Sequence, residues 1–229
     1  MNFTTQLKEA LAPFQMLTHP FYQAWMQGEL TVDDLQKYSS QYKPFVDAFP
    51  RFVSRIHSQC EDPATRHQLL MNLVEEEGFP RGKDHPTLWK QFATGMGVSS
   101  YDFENGTYNE ASKALVDTFW KHCNSSYAEG LAALYTYEHQ IPEIAKAKIE
   151  GLKKFYGVTA EATTEFFSVH EEADVLHSES CEALLNQLPA EVREKALAAA
   201  TESAQALWNF LTHCTELKST VCHQPSVLN

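Results

Sequence analysis

The sequence predicts an all-α fold, and three observations carry that prediction. Apolar residues recur at three- and four-residue steps through every long segment, and no run keeps the alternation of a strand. Glycine is scarce, with 9 in 229 residues, too few for a chain punctuated by many tight turns. Four of them, Gly28, Gly78, Gly97 and Gly157, fall where the helical pattern stops.

The periodicity places helices at about 3–17, 20–28, 32–59, 62–77, 86–95, 109–123, 126–155, 160–188 and 190–216. The second ends at Gly28, the fourth runs up to Gly78, the fifth stops short of Gly97, and the seventh approaches Gly157. Pro44, Pro50 and Pro142 fall inside these spans and should kink or interrupt them, because proline lacks the N–H that a helix interior needs. No internal repeat, linker or low-complexity block divides the chain. One helical domain over residues 1–217 is expected, followed by a tail, 218–229, that loses periodicity and should be mobile.

With 43% hydrophobic and 21% charged residues the composition is that of an ordinary globular protein, which excludes general disorder. The formal charge of -12 argues against nucleic acid and anionic membranes as partners. It also fits carboxylates gathered around cations. Five widely spaced cysteines contain no CxxC pair, so neither a zinc ribbon nor a thioredoxin-like motif is present. The N-terminal segment lacks the pattern of a signal peptide, and no apolar run approaches the roughly 20 residues needed to span a bilayer. A reducing cytoplasm is the expected setting.

The sharpest local signal is His170-Glu171-Glu172-Ala173-Asp174-Val175-Leu176-His177. At about 100° per residue, Asp174 lies about 40° from His170 and His177 about 20° to its other side, so all three share a helix face. That face continues through Phe166, Phe167, Cys181, Leu184, Leu185 and Leu188, an apolar stripe on which polar groups are costly unless paired or coordinated. Glu138 repeats the pattern at the centre of a stripe with Leu131, Leu134, Ile141 and Ala145. Taken alone, it reads equally as a metal ligand or as a glutamate paired to a buried base. In Glu75-Glu76-Glu77 only Glu76 shares a face with Leu69 and Leu73, and His85 follows nearby.

Three carboxylates and three imidazoles, Glu76, His85, Glu138, His170, Asp174 and His177, suit two first-row metal ions held between facing helices. Ligand type also admits zinc, but a carboxylate-rich two-metal site favours iron or manganese. Lys148 lies on the flank of an apolar arc. The local pattern favours snorkelling to solvent over burial, which would lower its basicity and make it a better nucleophile. The tyrosines, among them Tyr22, Tyr38, Tyr42, Tyr127, Tyr135 and Tyr137, read mostly as packing residues, and position alone does not single out Tyr22.

The stretches HPFYQAWMQGELT, LWKQF, ALYTYEHQIPEIAKAKI and HEEADVLH resemble the family of the Chlamydia protein associating with death domains. That family lies within the haem-oxygenase-like diiron oxidases and is related in fold to TenA and PqqC. The resemblance runs from about residue 18 to 217, and Cys222-His223 is similar to the family's cysteine-rich end. It implies a bundle of about seven helices, two metal ions (Fe/Fe or Fe/Mn), dioxygen as co-substrate and an external reductant. The family's ligand positions match the six residues named above. The implied activity is synthesis of para-aminobenzoate without chorismate, the ring coming from a tyrosine that matches Tyr22 and the nitrogen from a lysine that matches Lys148. One departure is that eight residues, where the family has six, separate Glu76 from His85, which leaves Glu75 or Glu77 open as the ligand.

Two other functions stay in view: multi-turnover oxidation of a small exogenous substrate, and a module that binds death-domain proteins. No feature of the sequence specifically supports the second. A homodimer is compatible with the sequence, which does not require one.

Overall fold

The computed structural model describes residues 2–80 and 82–219, with the side chains of 171–177, 179 and 217–219 outside the described set. Eleven α-helices occur among the described residues, and no strand. They are α1 (Phe3–Leu11), α2 (Pro20–Gln27), α3 (Val32–Gln59), α4 (Pro63–Glu76), α5 (His85–Gly95), α6 (Ser100–Asn105), α7 (Glu110–Ser125), α8 (Tyr127–Glu138), α9 (Ile141–Tyr156), α10 (Glu161–Gln187) and α11 (Ala190–Ser219). The implied seven-helix bundle is therefore an undercount, and even the nine predicted segments divide further. The 3–17 segment is one helix followed by two 3-10 turns, Ala12–Phe14 and Met16–Thr18, with Pro13 inside the first. The six-residue α6 has no counterpart among the predicted helices.

Of the three prolines, one marks an interruption of a predicted helix. Pro142 sits in the first turn of α9, where its missing N–H is harmless, and α8 stops four residues earlier at Glu138. That break turns the predicted 126–155 helix into two. Pro44 and Pro50 instead lie inside α3, which runs unbroken for 28 residues. A capping box between Thr31 and Asp34 starts α3, and buried Phe45, Phe49, Phe52 and Val53 tie it to the core on either side of the prolines. Packing outweighs the lost hydrogen bonds there.

The centre of the molecule is α8, in which every residue from Gly130 to Glu138 is buried. It packs against α11, α7, α10 and α3. Gly130 permits the close approach to α3, because a Cβ there would lie 2.7 Å from Ile56 Cγ1. A helix buried on all sides has little amphipathic period, so Glu138 is polar in a place where no face is solvated. Among the described residues, the buried apolar side chains other than Ala199 form one contiguous cluster. Among the described residues no helix is long and apolar enough to cross a membrane. Residues 220–229, including Cys222 and His223, lie outside the described set.

Candidate metal centre and the buried lysine

Glu76, the last residue of α4, and His85, the first of α5, are brought together by the loop that joins the two helices. Asp84 caps α5 by accepting from Thr87 N, which fixes where His85 enters the fold. Of the three consecutive glutamates, Glu76 is buried, Glu75 half-buried and Glu77 exposed. The Nδ1 of His85 stands 2.6 Å from Oε2 of Glu76. The two-residue longer loop therefore still brings the middle glutamate to the histidine.

His170 enters from α10, its ring centroid 4.4 Å from that of His85. Its Nδ1 lies 2.5 Å from the carbonyl oxygen of Phe166, one helical turn earlier. A carbonyl only accepts, so Nδ1 carries the proton and Nε2 bears the lone pair. This is how metal-ligating imidazoles are commonly oriented. One ligand atom from each of Glu76, His85 and His170 falls within 4.8 Å of the others, and all three residues are buried. Two imidazoles and one carboxylate form a donor set that non-haem iron favours. The residues present fit such an ion.

Glu138 is 2% exposed, and both its oxygens accept hydrogen bonds. Asn72 Nδ2 donates to Oε1 at 2.8 Å, and Cys181 Sγ donates to Oε2 at 3.2 Å. Glu138 is not within the 4.8 Å group formed by the other three. It is nevertheless tied to that group through α4, since Asn72 lies one turn before Glu76. Asp174 and His177 belong to the backbone span of α10, but their side chains lie outside the described residues.

Lys148 does not snorkel. It is 5% exposed, in the middle of the buried face of α9, with Ile144 and Ala145 one turn before it and Gly151 and Leu152 one turn after. Rings from four other helices surround its amine: Trp25 and Tyr22 (α2), Tyr38 (α3), Trp89 (α5) and Phe167 (α10), with centroids 5.0 to 5.8 Å from Nζ. Nζ donates to the Tyr38 hydroxyl at 2.8 Å, and the Tyr38 and Tyr22 hydroxyls are 3.5 Å apart. Burial pushes the lysine down to about 7, so near neutral pH the free amine is far more populated than in an exposed lysine. Burial likewise raises both phenols, Tyr22 despite the opposing effect of its hydrogen bond with Tyr38.

Tyr22 is held in place by the start of its own helix. His19 caps α2, its Nδ1 accepting from Phe21 N at 3.0 Å, so Nε2 carries the proton and donates to Thr212 on α11, also at 3.0 Å. Burial lowers His19 to about 4, which keeps the cap neutral. Trp25 Nε1 donates to the Lys148 carbonyl at 3.3 Å and ties α2 to α9.

Two small cavities flank His170, each of about 10 Å³. One is lined by Glu76, His85 and His170, the other by Lys148 and His170, and both share Tyr137 and Phe166 as walls. The candidate metal site and the lysine thus sit on two sides of one imidazole. Sequence reasoning did not single out Asn72, Tyr38 or the thiol of Cys181 for a role. Asn72 had a signal, being polar on the inward face of α4 one turn from Glu76. Tyr38 had none beyond its apolar spacing with Leu35 and Tyr42.

The fold and the inward Glu–His–His group define a helical protein with a buried candidate metal site. The sequence profile of a family described as iron-containing redox enzymes matches residues 36–208. The chain is 44% identical over 225 residues to a curated protein of Chlamydia muridarum named 4-aminobenzoate synthase, covering 97% of this chain and 94% of that one. The chain belongs to this family of iron-containing redox enzymes. Among solved structures, a TenA homolog from Pseudomonas syringae pv. tomato superposes with a TM-score of 0.81 at 18% identity, over 93% of each chain. A CADD-like protein of unknown function from Nostoc punctiforme gives a TM-score of 0.77, also at 18% identity, over 94% of this chain and 96% of that one. At these identities the two structures establish the fold.

Proposed function

We propose that this enzyme makes 4-aminobenzoate by an oxidation in which it consumes its own Tyr22 and Lys148, the first supplying the ring and the second the amino nitrogen. The observation that carries this reading is the Lys148 amine, buried in the ring cluster that holds Tyr22 and lining a cavity whose wall is His170. The name of the Chlamydia muridarum relative supports the product.

In this reading Glu76, His85, Glu138, His170, Asp174 and His177 hold two metal ions, Fe/Fe or Fe/Mn. Such a pair, supplied with dioxygen and an external reductant, provides the oxidising power. The chain's own residues do the rest. Trp25, Trp89 and Phe167 keep water from the Lys148 amine, and the low dielectric they create keeps a large fraction of it unprotonated. The Tyr38 hydroxyl orients Nζ, and the His19 cap and Trp25 hold α2 so that Tyr22 faces that amine. Burial keeps the Tyr22 phenol protonated at its oxygen until it reacts.

Among the described residues, the two cavities beside His170 offer little room for an exogenous substrate. Each has space of about 10 Å³, scarcely that of one water molecule, whereas pockets for small organic ligands usually occupy about 300–1,000 Å³. Purified protein given ferrous iron, a reductant and dioxygen, with no aromatic or amine compound added, is expected to release at most one 4-aminobenzoate per chain. Product in excess of the protein, or product only when a small organic precursor is added, would contradict the proposal.

A further inference from the structure

We infer that Asn72 and Cys181 are positioning residues that hold the Glu138 carboxylate in one plane for metal binding. The inference rests on the reading of Glu138 as a ligand.

The geometry assigns one donor to each oxygen. Asn72 Nδ2 occupies Oε1 at 2.8 Å and Cys181 Sγ occupies Oε2 at 3.2 Å, so rotation of the carboxylate breaks both hydrogen bonds. The anchors come from α4 and α10, the helices that carry Glu76 and the His170, Asp174 and His177 positions. Asn72 lies four residues before Glu76 on α4, and Cys181 four residues after His177 on α10. Residues four apart are neighbours on a helix surface. One clamp therefore links α4, α8 and α10. Glu138 itself closes α8 beside the break before Pro142, where its backbone has fewer helical neighbours to restrain it. A side chain at a helix end gains more from such restraints than one in a helix interior. Asn72 and Cys181 are themselves buried, so neither donor is exchanged with solvent.

Groups of this kind tune ligands without touching the metal, and removing one typically costs roughly 10- to 100-fold in metal affinity. The thiol is the distinctive member. Serine in its place keeps an O–H donor, while valine has similar bulk and no donor.

The test is an anaerobic titration of the full-length protein with ferrous iron against a competing chelator, with folding followed by thermal unfolding of each variant. The expected result is that Cys181→Val and Asn72→Leu each weaken one of two bound irons by 10- to 100-fold, while Cys181→Ser stays within about 3-fold of the unaltered protein. Should Asn72→Leu fail to fold, the serine–valine pair at Cys181 decides. If Glu138→Gln weakens binding but Cys181→Val does not, the clamp is overturned and the ligand reading survives. If serine is as damaging as valine, hydrogen bonding by the thiol is overturned. If Glu138→Gln binds iron as the unaltered protein does, both readings fall.

Discussion

Lys148→Arg and Lys148→Met are each expected to make no 4-aminobenzoate, while Lys146→Arg makes it at close to the normal yield. If the nitrogen of Lys148 becomes the product's amino group, that side chain is consumed, and preserving its charge is no substitute. Arginine presents a planar, always-protonated head that cannot serve as the same amine. In this structure it would also place a fixed charge among Trp25, Tyr38, Trp89 and Phe167 with no room to escape, so Lys148→Arg is expected to fold less stably. That is why the methionine variant is needed: it removes the amine without burying a charge. Lys146 is exposed two residues earlier, on the opposite side of the same helix, and controls for loss of a lysine. Product quantified by mass spectrometry from iron-loaded Lys148→Met protein at the unaltered yield would rule out the donor role.

The second large effect has the opposite sign and concerns stability. Lys148 has a folded-state pKa of about 7 against an ordinary value of 10.5, so between these pH values the unfolded chain binds more protons than the folded one. Stability therefore rises with pH across that window, and the cost of burying the lysine is fully present below about pH 7. At pH 7 the cost is roughly 4 kcal/mol, offset by about 1 kcal/mol for the hydrogen bond to Tyr38. Metal-free Lys148→Met protein is expected to exceed the unaltered protein in unfolding free energy by roughly 3 kcal/mol at pH 7, with the gap closing toward pH 10. Denaturant unfolding of both proteins at pH 7 and pH 9.5 measures this. A gap that stays constant, or that favours lysine at pH 7, would mean the amine is not desolvated as described. A residue that lowers stability where it stands and is needed for the product fits the usual conflict between function and stability.

How much of this was legible in the sequence depended on how local the cause was. Glu76 and His170 could be read because each is polar on a face shared with apolar residues, Leu69 and Leu73 for the first and Phe166 and Phe167 for the second, whereas His85 was marked by its nearness to Glu76 in the chain. The break after Glu138 was signalled by Pro142. The 32–59 helix was legible as one span, and the core aromatics that hold it through Pro44 and Pro50 became visible only in the fold. Lys148 was misread for the same reason. Its own helix face suggested an escape to solvent, and the rings that close it off come from four other helices. Cys181 could be placed on an inward face, but nothing in its neighbourhood announced a carboxylate from α8 across the interface.

The central claim, that the chain spends its own side chains, is tested most directly by the masses of the peptides containing Tyr22 and Lys148 after reaction with iron, reductant and dioxygen. The account predicts that both peptides change mass, in proportion to each other and to the 4-aminobenzoate released, while peptides carrying Tyr135 and Lys146 do not. Product formed with Tyr22 and Lys148 both intact would contradict it.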